Sequence, residues 1–412
     1  MYLENYQHLK NNESYKLVLI ILLSILARIP IILLYGDTGL ENEWKVLVNN
    51  LIDNKILAFD YLNPELDEFL IPNVWMPPLY AYYLYFFSFF NLEESSYIKL
   101  ILSSQVLLSC LSVVIFYKIN KIFFSQKISF YSSLFFSAFP LHVFACSQIS
   151  SISLQVCLTV LFLYFFLKLS EKSDLSSIIF FSLLSGVLIL LRGEFVAILA
   201  LSILYLIIFF KTSIKNALLI ILISLITISP YLTRNILIFE EAAITKSFGY
   251  NLWKGNNLEA TVEGTKMVGA DLQRRIDLIP INKFYGVNFD RVHLDKAIEN
   301  IQEKPNRYLI LFFKKALSFL FIDINASQPN YYNPLHYMPV LLLGITSLIG
   351  ILISNKRSYK LNYLIMIFFT NIFIFSLFFI LARYKLAILP LQIIFTNILI
   401  QNIISKFFYK KK

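Results

Sequence analysis

Three carboxylates follow the first long apolar block within seven positions, in Gly36-Asp37-Thr38-Gly39-Leu40-Glu41-Asn42-Glu43-Trp44. A carboxylate held at a boundary between water and lipid, close to other acids, has a raised pKa. It can then accept the proton of a hydroxyl group or bind a divalent cation through its oxygens. The simpler interpretation is an acid-rich helix start, because Asp and Glu stabilise helix N-termini. The residues alone leave both interpretations open.

Polar and aromatic side chains gather in a second, longer loop. Arg234 and Asn235 open it, and Trp253, Asn256 and Asn257 follow. Amides hydrogen-bond hydroxyl groups, and an aromatic face packs on a sugar ring. Taken alone, Arg234 is equally typical of a helix end at the membrane surface.

Cations stand at three further turns between or beside apolar blocks. Arg383 and Tyr384 lie between the last two blocks, and Lys314 and Lys315 lie in a short apolar stretch. Such cations suit an anion, for example a lipid phosphate. Arg192 precedes Gly193-Glu194 and belongs either to a local ion pair with that acid or to the same anion site.

The elements that must position these residues are membrane helices. Of 412 residues, 58% are hydrophobic and 15% charged, where soluble chains average about 45–50% and 25%. The apolar residues form serial blocks of nearly membrane-spanning length, which excludes a soluble enzyme. The net charge of +10 comes from Lys and Arg between the blocks, so we expect membrane lipids and no nucleic acid as partners. The three Cys lie inside apolar segments without metal-ligand spacing.

The apolar blocks predict about ten crossings. The first block shows no small-residue cleavage site and is predicted to be a retained helix rather than a signal peptide. Placing both termini in the cytoplasm puts the basic groups inside, as the positive-inside rule requires: Lys118 to Lys127, Lys168 and Lys172, Lys211 and Lys215, Lys356 to Lys360, and Lys406 to Lys412. The blocks run near Lys16–Tyr35, Ile98–Tyr117, Ile128–Cys146, Ser153–Leu169, Ser176–Leu191, Phe195–Phe210, Asn216–Leu232, Pro339–Ser354, Leu361–Leu381 and Leu386–Ile403.

Shorter apolar stretches predict helices at the membrane interface. Leu79–Leu92 and Tyr308–Ile322 are too short to span comfortably, and the count becomes twelve if both cross. Residues Glu41–Asn54 alternate with helical period and predict an amphipathic interfacial helix. The fold class is therefore an all-α polytopic membrane protein with about 10–12 transmembrane helices and two large outer-face loops. We divide it into residues 1–232, which include the first outer loop at 36–97, the outer loop at 233–307, and the C-terminal part at 308–412.

The order of these segments carries a family resemblance. It rests on Asp37 to Trp44, Pro77-Pro78-Leu79-Tyr80, Pro230 to Asn235, Asn251 to Ala260, and Arg383-Tyr384-Lys385. In this order the chain resembles the bacterial polyprenyl-phosphate-dependent glycosyltransferases of the glycosyltransferase-C superfamily. Their relatives include protein O-mannosyltransferases and the aminoarabinose transferase that modifies lipid A.

The resemblance implies a hexosyl or pentosyl transferase. It would move a sugar from a polyprenyl-phosphate carrier to a glycan, lipid or protein acceptor on the outer face of a bacterial-type inner membrane, with inversion and without a nucleotide sugar. The turn Ser147 to Gln155, which often carries an acid in relatives, has none here. No cofactor is required, and a divalent cation would be compatible.

The resemblance also implies roles for the residues above. The family pattern favours Glu41 as the base, assisted by Asp37 or Glu43. The remaining candidates would bind substrate: Arg234, Arg383 and Lys314 or Lys315 at the phosphate, Trp253, Asn256 and Asn257 at the sugar or acceptor, with Asn235, Tyr384 and Arg192 beside them.

A transporter or flippase of lipid-linked sugars is the principal alternative. It predicts ionisable groups in mid-helix and internal symmetry between halves. We expect the charges to gather at helix ends, and the two large loops are unlike each other. A structural scaffold would not account for the acidic and aromatic loops.

Overall fold

The computed structural model describes residues 2–63, 66–323, 334–354 and 357–409. Within these ranges the chain forms seventeen α-helices, one antiparallel β-hairpin, and 3-10 turns that include Ala145–Ser147 and Ala382–Ala387. Lys356 and the last terminal lysines, 410–412, lie outside the described residues. The elements are α1 (Tyr2–Tyr35), α2 (Asn42–Asp53), β1 (Ala58–Asn63), β2 (Leu66–Pro72), α3 (Pro78–Ser88), α4 (Glu94–Phe123), α5 (Gln126–Ala138), α6 (Pro140–Phe144), α7 (Ile152–Glu171), α8 (Leu175–Leu191), α9 (Phe195–Phe210), α10 (Ile214–Phe239), α11 (Phe248–Gly255), α12 (Ala270–Asp277), α13 (Tyr285–Glu303), α14 (Pro305–Leu320), α15 (Pro334–Ile353), α16 (Tyr359–Leu377) and α17 (Leu389–Tyr409).

The all-α polytopic fold predicted from the apolar blocks is confirmed. In the described part of the chain, five helices are long and apolar enough to cross a membrane: Glu13–Tyr35 of α1, α4, α7, α10 and α16. The pair formed by α5 and Pro140–Ser147 makes a sixth if it counts as one span bent by 55°. Shorter apolar helices are α8, α9 and Tyr337–Ile353 of α15. The predicted blocks lie on helices, but Ile128–Cys146 is divided between α5 and Pro140–Ser147, and α16 ends at Leu377, before the predicted Leu381. The number of crossings stays a prediction.

Helices α1 and α10 lie at the edge of the bundle. Only 17% of the apolar window of α1 and 28% of that of α10 is buried within the protein. Leucines such as Leu26, Leu33 and Leu218 are exposed there. Apolar side chains on such surfaces are stable against lipid, since a membrane offers them the environment that water does not.

The predicted amphipathic and short apolar helices form α2, α3 and α14. In α2, Leu47, Val48 and Leu51 are buried, while the opposite face is polar. Pro78 starts α3, where its missing N–H costs nothing. The rings of Trp44 and Tyr80 meet edge to face with centroids 4.8 Å apart and join α2 to α3.

Two features of the outer loops differ from the sequence-based expectation. The polar stretch after α2 contains the β1–β2 hairpin, in which Ala58 pairs with Pro72. Helix α10 continues to Phe239, so Arg234 and Asn235 are helical and the second loop begins at Glu240. Pro230 did not end the helix, although proline usually disrupts a helix interior.

The expectation that charges gather only at helix ends is wrong for Arg28. This residue lies within the span Glu13–Tyr35 and is 0% exposed. Its guanidinium is held by hydrogen bonds to groups of α1, α4 and the α5–α6 bend. A buried cation is tolerated in a membrane helix when neighbouring helices supply such acceptors.

Candidate active site

Asp37 is fixed against the turn between α6 and α7. Its backbone N–H donates to the Ser147 carbonyl at 3.0 Å, and the Ile149 N–H donates to its Oδ2 at 2.6 Å. Burial raises the pKa of Asp37, the Ile149 bond lowers it, and the nearby charge of Glu41 raises it. The net pKa lies above the ordinary value, so the Asp37 carboxylate is a stronger base than a solvated aspartate.

The turn that holds Asp37 is itself fixed from α4. The Gln105 amide donates to the carbonyls of Cys146 at 3.2 Å and Gln148 at 3.0 Å. The Tyr80 hydroxyl donates to Gln105 Oε1 at 3.0 Å, because burial keeps the pKa of Tyr80 well above its usual range and the phenol protonated. The carboxylate of Asp37 therefore rests on a backbone turn with satisfied hydrogen bonds, the kind of support that preorganises a site.

The other two predicted carboxylates are held less firmly. Glu41 is exposed and precedes α2 without capping its backbone N–H groups. Glu43 is half-buried in the first turn of α2. Of the three acids, Asp37 carries the hydrogen bond to the turn at Ile149.

The same turn leads to Arg192. The Arg192 Nε donates to Gln155 Oε1 at 2.8 Å, and Gln155 lies in the first turn of α7. Arg192 also lies 3.8 Å from a carboxylate oxygen of Glu194. The local ion pair of Arg192 is thus present, the anion site stays a prediction, and a second cation lies near the same aromatic ring as Arg192.

That second cation is Arg383, and Tyr384 joins the two. The Arg192 guanidinium lies 5.5 Å from the centre of the Tyr384 ring, and that of Arg383 lies 5.8 Å from it. Arg383 is exposed. The neighbouring Lys385 is buried and donates to the Ser318 and Phe321 carbonyls at the end of α14, which fixes the turn that carries Arg383.

Lys254 is a site residue that the sequence reasoning missed. Its ammonium lies 4.0 Å from the centre of the Phe379 ring. Burial lowers the pKa of Lys254 to about 8, and the charges of Lys266 and Arg383 contribute. We call Arg192, Lys254, Lys266 and Arg383 the basic cluster. The signal was present in Trp253-Lys254-Gly255, a cation between an aromatic residue and a glycine in the second outer loop.

Gly255 explains how Lys254 reaches this place. A Cβ at Gly255 would lie 1.8 Å from the Phe378 carbonyl oxygen, so only glycine allows α11 to approach the segment after α16. Asn256 continues the contact, because its side-chain amide donates to the Leu377 carbonyl at 2.8 Å. The Lys315 ammonium donates to the Gly255 carbonyl at 2.8 Å and to Asn256 Oδ1 at 3.1 Å.

Several residues predicted to bind substrate are buried in this support. Trp253 is 2% exposed and packs on Leu272 and Ala297. Asn257 is 4% exposed, and its amide donates to the Thr265 carbonyl. Burial lowers the pKa of Lys315 to about 7, whereas the adjacent Lys314 is exposed.

Arg234 and Asn235 fasten α10 to the outer loops. The Arg234 guanidinium donates to the carbonyls of Asn73 at 2.6 Å and Leu57 at 3.2 Å, next to the hairpin. The Asn235 amide donates to the Ala243 carbonyl at 2.6 Å. The structure thus brings Arg192, Arg383 and Tyr384 together and gives Arg234 partners in the first outer loop.

The donor set for a metal is small. Across the described ranges, no group of three His, Cys, Asp or Glu side chains lies close enough together to hold a metal ion. Asp37 and Glu41 interact electrostatically. A divalent cation held by one or two carboxylates together with substrate phosphate oxygens stays compatible with this donor set.

Comparisons with known proteins agree with the family resemblance. Residues 76–233 match the model of the dolichyl-phosphate-mannose-protein mannosyltransferase family. This range contains Tyr80, Gln105, the turn at Ile149 and Arg192. A search of curated protein sequences gave no match.

Solved structures share the fold. The oligosaccharyltransferase AglB from Archaeoglobus fulgidus, in complex with an inhibitory peptide and a dolichol-phosphate, matches with a TM-score of 0.56 at 13% identity. The match covers 98% of this chain and 51% of that one, so the chain spans about half the length of the structures it matches first. The same enzyme tethered to an acceptor peptide gives 0.55 at 13% identity, covering 95% and 50%. ArnT from Cupriavidus metallidurans bound to undecaprenyl phosphate gives 0.44 at 11% identity, covering 91% and 77%.

Proposed function

We propose that this protein is a membrane glycosyltransferase that moves a sugar from a polyprenyl-phosphate carrier to an acceptor hydroxyl group at the outer face of the membrane. One observation carries the proposal: the turn after α6 donates from Ile149 to the carboxylate of Asp37, whose pKa is raised, and helix α7, which follows that turn, accepts at Gln155 from Arg192 of the basic cluster. A carboxylate and a cation held by consecutive segments suit deprotonation of an acceptor and departure of a phosphate. The family match and the shared fold support it.

Asp37 acts as the general base in this proposal. The acceptor oxygen forms its bond to the anomeric carbon from the side opposite the phosphate, while its proton passes to the Asp37 carboxylate. The bond from the anomeric carbon to the phosphate oxygen breaks, and its electron pair leaves with the polyprenyl phosphate. We choose Asp37 over Glu41 because a base must be held in place, and the Ile149 bond holds Asp37.

The basic cluster stabilises the leaving phosphate. Arg192 and Arg383 face the same Tyr384 ring. Burial is the main cause of the lowered pKa of Lys254, and the smaller part that comes from Lys266 and Arg383 is relieved when an anion binds there. A divalent cation at the phosphate would add charge neutralisation there. Two specificities are to be determined by assay. The sugar is a hexose or a pentose, and the acceptor is a glycan, a lipid or a protein.

Arg28 bears on the transporter alternative, because a cation in mid-span is typical of substrate pathways. Its N–H groups donate to two backbone carbonyls and to Ser109. Such contacts fasten helices together and leave the cation fixed, so Arg28 does not favour transport. Transport also leaves the bond between sugar and phosphate intact, which separates the two functions experimentally.

Incubation of the purified protein in nanodiscs with a panel of undecaprenyl-phosphate sugars and acceptor glycans tests the function. We expect free undecaprenyl phosphate to appear together with glycosylated acceptor, by thin-layer chromatography and mass spectrometry. Asp37→Asn abolishes both products, and Glu41→Gln, the matched control, retains them. Movement of intact donor across the bilayer without release of undecaprenyl phosphate would establish the flippase instead.

A further inference from the structure

The second notable polar site of the protein lies inside the membrane-spanning part, at the bend between α5 and α6. Helix α5 ends at Ala138 and α6 begins at Pro140, with an angle of 55° across the break. Proline has no N–H group, and a bend of this kind leaves carbonyls of the preceding turn without helical partners. In a membrane such carbonyls must find other donors.

Arg28 supplies a donor at this bend. Its Nη1 donates to the Ser137 carbonyl at 3.0 Å and to the Ser24 carbonyl of its own helix at 2.8 Å. Its Nε donates to Ser109 Oγ of α4 at 2.9 Å. One guanidinium therefore links α1, α4 and the last turn of α5. Its planar, rigid arrangement of N–H groups fixes the geometry of these hydrogen bonds.

The other side of the bend is held by His142. Its Nδ1 lies 3.2 Å from Arg28 Nη2, and its Nε2 lies 3.0 Å from Ser109 Oγ. The imidazole stacks on Phe136 of α5 with centroids 4.2 Å apart and an angle of 7° between the rings. Arg28 thus contacts groups before and after Pro140, so it fixes the direction in which α6 leaves the bend.

Helix α6 leads directly to the turn that holds Asp37. It runs to Phe144, and the 3-10 turn Ala145–Ser147 follows without a break. The Ser147 carbonyl accepts a hydrogen bond from the backbone N–H of Asp37, and the Ile149 N–H donates to the carboxylate of Asp37. A change in the direction of α6 therefore moves the donor on which the Asp37 carboxylate rests.

We propose that Arg28 is a positioning residue for Asp37, acting through the α5–α6 bend and the turn at Ile149. The assignment of a catalytic role to Asp37 rests on the proposed function, whereas the mechanical link between Arg28 and the turn does not. Removing Arg28 releases the bend and lengthens the bond from Ile149 to Asp37.

The pH dependence of the reaction reports on this bond. The Ile149 N–H lowers the pKa of Asp37, while burial and Glu41 raise it, and Tyr80 is a further titratable group beside it. Weakening the Ile149 bond raises the pKa of Asp37 further. The acidic limb of the profile of kcat against pH then moves to higher pH, by about one pH unit for the loss of one hydrogen bond to a charged group.

The experiment compares Arg28→Met, Arg28→Lys and Ser24→Ala in nanodiscs. Ser24 lies one turn before Arg28, is 0% exposed, and has a hydroxyl without a hydrogen-bond partner among the described residues, so Ser24→Ala is a matched control for a buried change in α1. We expect Arg28→Met to lower kcat on the order of 10- to 100-fold, with the KM for donor within threefold, because a small misplacement of a reacting group is costly. Arg28→Lys, which keeps a donor at the bend, retains more activity, and Ser24→Ala matches the parent protein.

Hydrogen–deuterium exchange of the peptide that contains Ile149 provides a readout independent of transfer. Faster exchange of that peptide in Arg28→Met, together with the upward shift of the acidic limb, supports the positioning role. An unchanged exchange rate, or a loss of kcat without a shift of the limb, overturns it. If Arg28→Met does not fold, Ser109→Ala, which removes the Nε partner, gives the same two readouts. Failure of the parent protein to transfer any sugar, with faster exchange in the variant, refutes the proposed function and leaves the link to the turn standing.

Discussion

Binding of the carrier phosphate should weaken between pH 7 and pH 9, as Lys254 loses its proton. With a pKa of about 8 for Lys254, roughly nine tenths of these side chains carry charge at pH 7 and about one tenth at pH 9. The pKa is lowered by burial and by two neighbouring cations, so the charged form is already disfavoured before any ligand binds. An anion favours that charged form, and its affinity therefore falls as the pH rises through 8.

The magnitude follows from one charged contact. A hydrogen bond to a charged partner contributes about 1.5–3 kcal/mol, which corresponds to roughly a 10- to 100-fold weaker dissociation constant when the charge is lost. Undecaprenyl phosphate is the probe, since the second ionisation of a phosphate monoester lies near pH 6 and its charge is nearly constant above pH 7. Isothermal titration calorimetry in detergent from pH 7 to pH 9.5 measures the dissociation constant.

Two variants and a control separate Lys254 from the rest of the protein. Lys254→Arg keeps its charge throughout, so its dissociation constant stays constant across the range. Lys254→Met binds weakly at every pH and shows no step. Lys314→Met, an exposed lysine of α14, keeps the step at pH 8. A constant dissociation constant for the parent protein, or a step that persists in Lys254→Arg, would refute the reasoning.

Three further substitutions have defined outcomes. Glu41→Gln removes a charge that raises the pKa of Asp37, so the acidic limb of the transfer profile moves to lower pH; an unchanged limb contradicts the interaction. Gly255→Ala places a methyl group against the Phe378 backbone, at a cost of about 1–3 kcal/mol, and both the Tm and the affinity for undecaprenyl phosphate fall. Arg234→Met loses charged hydrogen bonds to Asn73 and Leu57, at a cost of at least about 2 kcal/mol, so the Tm falls while the KM for donor stays within threefold; a selective rise in KM would return Arg234 to the phosphate site.

The positions of the helices could be predicted because hydrophobicity largely defines them, whereas their ends could not. The apolar blocks lie on helices, with Ile128–Cys146 divided between α5 and Pro140–Ser147, and the amphipathic segment at Glu41–Asn54 forms α2. The hairpin could not be predicted from the polar stretch after α2, since short strands with polar neighbours carry little periodic signal. The extension of α10 from Leu232 to Phe239 was also missed, because tertiary contacts such as that from Arg234 to Asn73 stabilise its last turns.

The sequence predicted which segments form the candidate site better than it predicted which residues in them have exposed side chains. The sequence identified Asp37, Arg192, Arg383 and Tyr384 as chemically suited, and in the structure Asp37 bonds to the turn at Ile149 while Arg192 bonds to Gln155 at the start of α7. The sequence could not show that Trp253 is buried in the core, because aromatic residues are common both in cores and at sugar-binding sites. The choice among neighbouring carboxylates depends on a backbone donor more than one hundred positions away, at Ile149, which no local pattern reveals.

The basic cluster draws its cations from distant parts of the chain: Arg192 follows α8, Lys254 lies in α11, and Arg383 precedes α17. A carrier phosphate bound among these cations would link three separate segments of the chain. A ligand at a hundred times its dissociation constant adds about 2.7 kcal/mol to the stability of the folded form. Carrier lipid retained during extraction is therefore expected to determine how long the purified protein survives.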